Sequence, residues 1–504
     1  MRIRLLWAWY GVLATLVGIG LAHLAAALSD PAASPVLAVG STVIDLTPTP
    51  MKEWAIRTFG SADKAILVGS VLAGVVVLAA LAGVTARRRF ALGAGALVAL
   101  VGVAAAAVLT RPAASPLDLV PSVVAALAAV GALRVLAQVD ARARQRTAAG
   151  DPGRRTVLLA MTALGAMATA GGVAGRLVTS LRARPEDVAL PAPADPAPAL
   201  PRGLDDQVPG ITRFRTPNAD FYRVDTRLDV PVLSADDWTL TIDGDVDRTV
   251  RITFDELLAM PMVERDITLT CVSNSVGGPY VGGARWLGVP LTDVLDLAGI
   301  GRTKADQILS TDFAGMTIST PLALATDGRD ALVAVGMNGE PLPREHGFPV
   351  RLVIPGLYGF ISATKWLRRL TLTTYAEQEA YWTERGWATD APIKISARID
   401  TPKALSELDA GDVVVGGVAW AQERGGIAGV QVRVDGGRWV DAQLGPDGGD
   451  DYWRQWFYRW SAEPGSHRIA VRAVAGNGEP QTAARAEPFP NGASGLHELL
   501  VRVS

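Results

Sequence analysis

Five apolar stretches, each about 20 residues long, crowd the first third of this 504-residue chain. They run roughly over 4–28, 65–85, 89–109, 118–138 and 156–178. Each is long enough to cross the hydrocarbon core of a bilayer as a helix, and only helices or closed barrels satisfy their backbone there. The feature sets the organisation: an N-terminal five-helix transmembrane bundle over 1–181, followed by a part of ordinary soluble texture. Whole-chain values hide this split, because 49% hydrophobic residues and a formal charge of −2 are averages over two unlike halves. That near-zero charge gives no sign of a nucleic-acid partner.

Positive charge orients the bundle. Arg2 and Arg4 precede the first span, Arg87, Arg88 and Arg89 lie between the second and third, and Arg142, Arg144, Arg146, Arg154 and Arg155 lie between the fourth and fifth. With all three basic groups inside, five crossings put the chain after about residue 180 outside. The expectation is a multi-pass protein of a bacterial cell membrane with its soluble part on the extracytoplasmic side. The fifth span begins GRRTVLLAMTALGAMATAGG, a pair of arginines before a moderate apolar run, which resembles a twin-arginine export signal. The bundle shows little chemistry of its own. His23 is its only histidine, so it cannot offer two facing histidines to a b-type haem. It reads as an anchor on which a partner could dock.

After the last span, RARPEDVALPAPADPAPALPRG (182–204 with its flank) is rich in Pro and Ala and reads as a semi-rigid linker. Residues 205–392 mix strands and short helices without a βαβ period, which predicts an α+β domain. DWTLTIDGDV predicts a strand and turn, and TFDELLAM a helix with Thr253 as N-cap and Asp255 and Glu256 in its first turn. VPLTDVLDLAGI predicts a second helix capped by Thr292, and FPVRLVIPG a buried strand ended by Pro355-Gly356. No glycine-rich nucleotide fingerprint is present. Residues 393–504 alternate apolar and polar in segments such as GDVVVGGVAWA, GVQVRVDGGRWV and GSHRIAVRAVAG, the pattern of an antiparallel β-sandwich of immunoglobulin-like type. The WFYRW run sets Trp456, Tyr458 and Trp460 on one face.

The chain has a single cysteine, Cys271, in DITLTCVSNSVGG. It can form no disulfide within the chain and no multi-cysteine zinc or iron–sulfur site. Two chemical roles remain. One is a nucleophile served by His346, the only histidine of the central domain. The other is a single thiolate ligand to a metal that brings its other ligands. A non-catalytic membrane-anchored binding module is a third reading of the whole chain.

The stretches TLTCVSNSVGGPYVGGARWLGVPLTDVL and MNGEPLPREHGFPVRLVIPGLYGFISATKWL resemble the molybdenum-binding segments of the sulfite oxidase family of molybdopterin enzymes. NADFYRVDT matches the family's FYR segment more loosely, and the C-terminal sandwich resembles its second domain. The resemblance covers roughly 205–504 and implies a molybdenum-molybdopterin cofactor with Cys271 as metal ligand. A soft thiolate suits such a centre. It implies further that Asn218, Tyr222, Arg223, Asp312, His346, Arg351, Thr364 and Lys365 line the cofactor, with Arg351 suited to phosphate. Cys271 and Arg223 would face the chemistry.

The departures bear on substrate. The family's Arg-Asn-His reads Arg223-Val224-Asp225 here, and the arginine expected shortly after the cysteine is replaced by the Asn274-Ser275 region. The tyrosine expected near the metal has Met316 close to its place, and Arg285 reads as a packing residue. Sulfite, a dianion, needs converging cations. A neutral sulfoxide-type compound is therefore as good an expectation as sulfite for oxygen-atom transfer. With no Cys-x-x-Cys-His motif and one cysteine, no haem attachment of that kind and no iron–sulfur cluster is expected in this chain. Electrons would pass to an external redox partner, a cytochrome or a haem membrane subunit. A homodimer stays open.

Overall fold

The computed structural model describes residues 2–48, 51, 54, 58–59, 63–111, 114–148, 154–182 and 188–504. The chain falls into two compact units: Met1–Pro185 with Asp225–Val232, and Glu186–Val224 with Leu233–Ser504.

The first unit is helical, with α1 (Arg2–Leu28), α2 (Pro35–Leu46), α3 (Asp63–Ala86), α4 (Phe90–Leu109), α5 (Val120–Ala148) and α6 (Arg154–Arg182). Five helical stretches are long and apolar enough to cross a membrane: Ile3–Leu28, Ala65–Ala86, Phe90–Leu109, Pro116–Gln145 and Arg155–Arg182. They coincide with the five expected spans. Helix α2 is apolar but too short to span. Helix α1 packs against α3, α5 and α6. It approaches closely through small residues, as lipid-embedded helices do. A methyl group at Gly11 would strike the backbone of Ala79, and one at Gly83 the backbone of Trp7. Asp140 of α5 is held by Arg144 at 2.5 Å, with the Tyr10 hydroxyl 3.5 Å away.

The second unit begins with residues 188–204, expected as an open linker. Instead they lie along the soluble part, since Ala194 N donates to Met262 O at 2.7 Å and Asp195 pairs with Val263. Arg265 ties Asp195 at 2.7 Å, and Val188, Leu190 and Leu200 pack on the core. Prolines leave these residues extended, and an extended chain can add to a sheet edge. The stretch 183–187 of the expected linker lies outside the described residues.

Two sheets, one antiparallel and one mixed, build residues 205–392. One has the order β3 (Val263–Thr270), β4 (Val281–Pro290), β7 (Leu332–Met337), β8 (Glu340–Pro341), with β9 (Arg351–Val353) on β7. The other has the order β2 (Val250–Thr253), β1 (Thr239–Gly244), β10 (Leu367–Thr373), β5 (Gln307–Asp312), β6 (Thr317–Pro321). The pair β1–β10 is parallel and the rest are antiparallel, interleaved with short helices, as expected for α+β. Thr253 caps the helix Phe254–Leu258 in a capping box with Glu256. The second helix differs from expectation: it spans Leu291–Asp296 with Pro290 at the cap, so Thr292 lies inside its first turn. Pro290 ends β4 in extended conformation and Leu291 N donates to Ala331 O at 2.8 Å, which starts the helix two residues early.

The C-terminal strands form two sheets. One has the order β11 (Ser396–Thr401), β13 (Gly411–Trp420), β17 (Arg454–Ala462), β16 (Gln443–Leu444). The other has β12 (Glu407–Leu408), β19 (His497–Val503), β18 (Gly465–Ala475), β14 (Ile427–Val434), β15 (Val440–Asp441). Their inner faces share one core containing Val415, Val430, Trp456, Trp460 and Val471, with Tyr458 packed on its edge. Val418 and Trp420 of β13, with Tyr452 and Trp453, pack instead into the core of residues 205–392. Strand β13 is thus buried on both faces, which explains why GGVAW does not alternate.

Candidate active site

Strand β3 ends where the chain must leave the sheet, and the next residue is Cys271. The loop 271–280 closes on itself. Cys271 N donates to Tyr280 O at 3.0 Å, Asn274 N to Cys271 O at 3.0 Å, and Tyr280 N to Asn274 Oδ1 at 2.8 Å. The thiol is buried, and burial pushes its pKa up. The Ser273 N–H and hydroxyl oppose that shift by hydrogen-bonding the sulfur, and the Lys365 ammonium favours the thiolate.

A second segment, 216–223, is pinned opposite. Asn338 and Gly339, both at positive φ, make the tight turn between β7 and β8. The Asn338 amide donates to Thr216 O at 2.9 Å and Asn218 Oδ1 at 2.8 Å. Asn218 also donates to Met337 O at 3.2 Å. Phe221 stands edge-on to Trp286 and His346 and stacks on Tyr222. Burial, and beyond it the nearby Cys271 sulfur, drive the Tyr222 hydroxyl pKa upward. Arg223 is exposed, and its charge reaches His346.

The third segment supplies the cations. The turn Arg344–His346 ends at Gly347, whose φ is 115°. A side chain there would lie 3.0 Å from Arg351 Cβ and 3.2 Å from Lys365 Cα, so glycine is required by both conformation and space. His346 Nε2 donates to Asn218 O at 3.0 Å. Burial and the nearby charges of Arg351, Lys365 and Arg223 push its pKa down to about 4, so the ring is neutral. Arg351 opens β9 and is 5% exposed. Its guanidinium lies over the Trp286 ring at 5.0 Å and donates to His346 O at 2.9 Å and, at its reach, to Ala363 O at 3.5 Å. Among the described residues no carboxylate pairs with it. Burial pushes its pKa down to about 10. Lys365 Nζ donates to Glu345 O at 3.2 Å, and Thr364 Oγ1 lies 2.5 Å from Ser310 Oγ.

The structure thus gathers Cys271, Asn218, Tyr222, His346, Arg351, Thr364 and Lys365 through a connected set of contacts. Asp312 sits at the β5–β6 turn, where its Oδ1 accepts from Ala314 N at 2.8 Å and Met316 N at 2.9 Å. Met316 therefore belongs to that turn. Arg285 pairs with Asp266 across β3 and β4 at 2.6 Å, a structural contact as expected. His346 and Cys271 are not hydrogen-bonded to each other, so the pair that a cysteine nucleophile needs is not formed.

Two residues near the thiol escaped the sequence reading. Ser273 is one. The other is Tyr358, whose hydroxyl pKa burial and Cys271 push up to about 12. Gly359 N donates to Thr270 O at 3.1 Å, which sets the Tyr358 segment against the end of β3. The PGLYGF turn signal marks a loop there but not its partner.

Comparison with known proteins fits this geometry. Residues 227–382 match the family model described as "Oxidoreductase molybdopterin binding domain". The mitochondrial sulfite oxidase of Rattus norvegicus is 31% identical over 272 residues, covering 46% of this chain and 49% of that protein. The sulfite oxidase of Gallus gallus is 30% identical over 309 residues, covering 52% of this chain and 67% of that protein. This chain belongs to the sulfite oxidase family of molybdopterin oxidoreductases. It spans about half the length of the mitochondrial relatives, 49% of the rat protein and 55% of the human one. The crystal structure of the sulfane dehydrogenase SoxCD from Paracoccus pantotrophus shares the fold, with a TM-score of 0.51 at 23% identity over 58% of this chain and 82% of that chain.

The residues present fit the family's cofactor. A buried guanidinium without a carboxylate is costly unless an anion completes it, and a planar donor fork suits a phosphate. Among the described residues no three His, Cys, Asp or Glu side chains converge as a metal site. Cys271 can therefore serve only a metal that carries most of its own ligands, as a dithiolene-bound molybdenum does.

Proposed function

We propose that this chain is a membrane-anchored, molybdopterin-dependent oxidoreductase that moves an oxygen atom to or from a small substrate on the extracytoplasmic side. The observation that carries the reading is Arg351, a buried cation without a carboxylate, set in the same constellation as the single thiol. In this reading Cys271 is the protein's one ligand to molybdenum. Arg351, His346, Lys365, Thr364, Asn218 and Asp312 hold the pterin and its phosphate. When bound, the cofactor supplies a two-electron oxygen-atom transfer.

The chain's own groups do the rest. Arg351 and Lys365 balance the cofactor's anionic charge in a site of low dielectric. Neutral His346 donates from Nε2 and fixes the 216–223 segment. Tyr222 keeps its hydroxyl proton at neutral pH, so it can donate a hydrogen bond to a substrate oxygen. Arg223 faces solvent on the Tyr222 side. A hydroxyl donor beside the thiol, with Asn274 and Ser275 where an arginine was expected, supports a sulfoxide-type substrate as well as sulfite. Five apolar helices and the inside-positive charge pattern support the anchored, exported arrangement, with the arginine pair before the fifth span as a twin-arginine signal. The two-sheet C-terminal part is read as immunoglobulin-like. Electrons pass to a separate redox protein, a cytochrome or haem membrane subunit, and the chain holds no haem or iron–sulfur centre of its own.

The test is metal content. The full chain would be expressed in a host with the pterin cofactor and twin-arginine export, as wild type and Cys271→Ser. Molybdenum near one per chain in wild type, with an altered metal-centre spectrum in Cys271→Ser, is the expected result. A folded, exported wild type without molybdenum or pterin would sink the reading. Alkaline phosphatase fused after Ser504 should be active, since it works only when exported.

A further inference from the structure

The loop that carries Cys271 is held from the sandwich. Arg398 lies on β11, 8% exposed, and every part of its guanidinium is used. Nε donates to Asp400 Oδ1 at 2.7 Å, Nη2 to Thr212 Oγ1 at 2.7 Å, and Nη1 to Gly278 O at 2.9 Å. Asp400 is itself 5% exposed, and its other oxygen accepts from Thr212 N at 3.0 Å. A register shift between Ile399 and Thr401 places Asp400 at a β-bulge against β13. Bulges re-aim side chains. A methyl group at Gly417 would strike the Arg398 carbonyl, so the bulge is pressed onto a strand that can carry only glycine there.

The path from Arg398 to the thiol is short. Gly278 lies on Asn274, whose Oδ1 would be 2.6 Å from any added Cβ. Asn274 accepts from Tyr280 N and donates from its own backbone to Cys271 O. The ring of His497, which accepts from Ile399 N at 3.0 Å, fills the space against Gly277. Fixing Gly278 therefore fixes the turn that aims the sulfur. Thr212 stands in the segment that leads to Asn218 and Tyr222, so the same guanidinium ties both walls of the site to the sandwich.

We propose that Arg398, locked by Asp400, is a positioning residue that sets the Cys271 thiolate through the Gly278 carbonyl and Asn274. A buried ion pair is a costly way to join two parts of a protein, and hydrophobic contact would do as well for stability alone. Fixed geometry is what such a pair adds. The inference rests on Cys271 being the molybdenum ligand.

The experiment compares the full-length holoprotein as wild type, Arg398→Gln, Arg398→Lys, Thr212→Val and Glu423→Gln. Glu423 reaches Arg329 at 3.7 Å, another contact between the sandwich and residues 205–392, and serves as control. Molybdenum content, the Mo(V) electron paramagnetic resonance spectrum, thermal midpoint and turnover would be read for each. Arg398→Gln should keep molybdenum, shift the Mo(V) g-values and lower kcat about tenfold with KM within twofold. Arg398→Lys should restore part of both, and Thr212→Val should shift the spectrum in the same direction. Glu423→Gln should leave the spectrum unchanged whatever its midpoint. If Arg398→Gln does not fold, the spectrum of Thr212→Val decides. Loaded variants with wild-type spectra would overturn this inference alone. A wild type without molybdenum would overturn the reading of the site, and this inference with it.

Discussion

Replacing Arg351 by methionine should have opposite effects on the cofactor-free and loaded protein. The guanidinium is 5% exposed and, among the described residues, has only carbonyl oxygens and the Trp286 ring as partners. Burial lowers its pKa from the ordinary arginine range to about 10. At about 1.4 kcal/mol per tenfold, the buried charge opposes folding by about 3 kcal/mol. The folded pKa lies below the unfolded one, so for this base folding penalises the charged form. The penalty is full below about pH 10 and fades only as pH rises from there toward the ordinary arginine pKa. Methionine removes the charge and keeps much of the stem's volume. Without cofactor, Arg351→Met should therefore unfold no earlier than wild type, and later if its packing is kept. In the loaded protein the same change would delete the cation that the proposed function sets against a phosphate. Truncating one partner of a buried, hydrogen-bonded charge pair costs about 2–5 kcal/mol, or roughly 30- to 4,000-fold in affinity. The assay pairs urea unfolding of cofactor-free protein with titration of purified cofactor, scored as molybdenum retained per chain. Loss of several kcal/mol from the cofactor-free form, with loading unchanged, would refute the argument, because Arg351 would then be a structural residue.

Three other outcomes follow from the same geometry. Gly347→Ala combines a φ of 115° with close approach to Arg351 and Lys365, so it should cost about 2 kcal/mol and reduce loading, read by urea midpoint and molybdenum content. His346 has a folded pKa of about 4 against an ordinary 6.5, so it destabilises the fold as pH falls through that window and has no effect above about pH 7. His346→Gln should flatten the fall in stability between pH 7 and 5. The variant must be compared with wild type at each pH, because Asp451, raised to about 7 by burial and the nearby Glu423 and Asp330 carboxylates, acts in the opposite direction. A piece ending at residue 392 should fail to fold. It would lack Trp420, Tyr452 and Trp453, three aromatics that together bury roughly 450–750 Å², worth about 11–19 kcal/mol, more than a domain's usual net stability. A soluble, cooperative unfolding transition from that piece would contradict the shared core.

Legibility in the sequence followed the range of the interactions involved. The five long apolar helices could be read because length and apolarity are properties of one segment. The Thr253 cap could be read because its partner Glu256 is three residues away. Thr292 misled because the helix start was decided by the end of β4 and by the Ala331 carbonyl, neither of which belongs to the helix. Residues 188–204 misled for the same reason. Their Pro and Ala content describes an extended chain correctly, but the edge of β3 that receives it lies some 70 residues away. Cys271, His346 and Arg351 were visible because their motifs are local and long, whereas Tyr358 and Ser273 carry no such mark. Arg398 lies 120 residues from the Gly278 carbonyl it holds, and in the sequence it is one more polar residue in an alternating strand. Yet the sandwich reaches the site through just such residues. Trp420 and Trp453 enter the core that supports β3, Arg398 holds the loop that follows it, and Gly492 closes on the Tyr358 ring. The C-terminal part thus supports the loops and strands that carry the site residues. Sequence change on the faces of β11, β13 and β19 turned toward residues 205–392 should then alter the candidate site, while change on the faces turned to the sandwich's own core should alter stability alone.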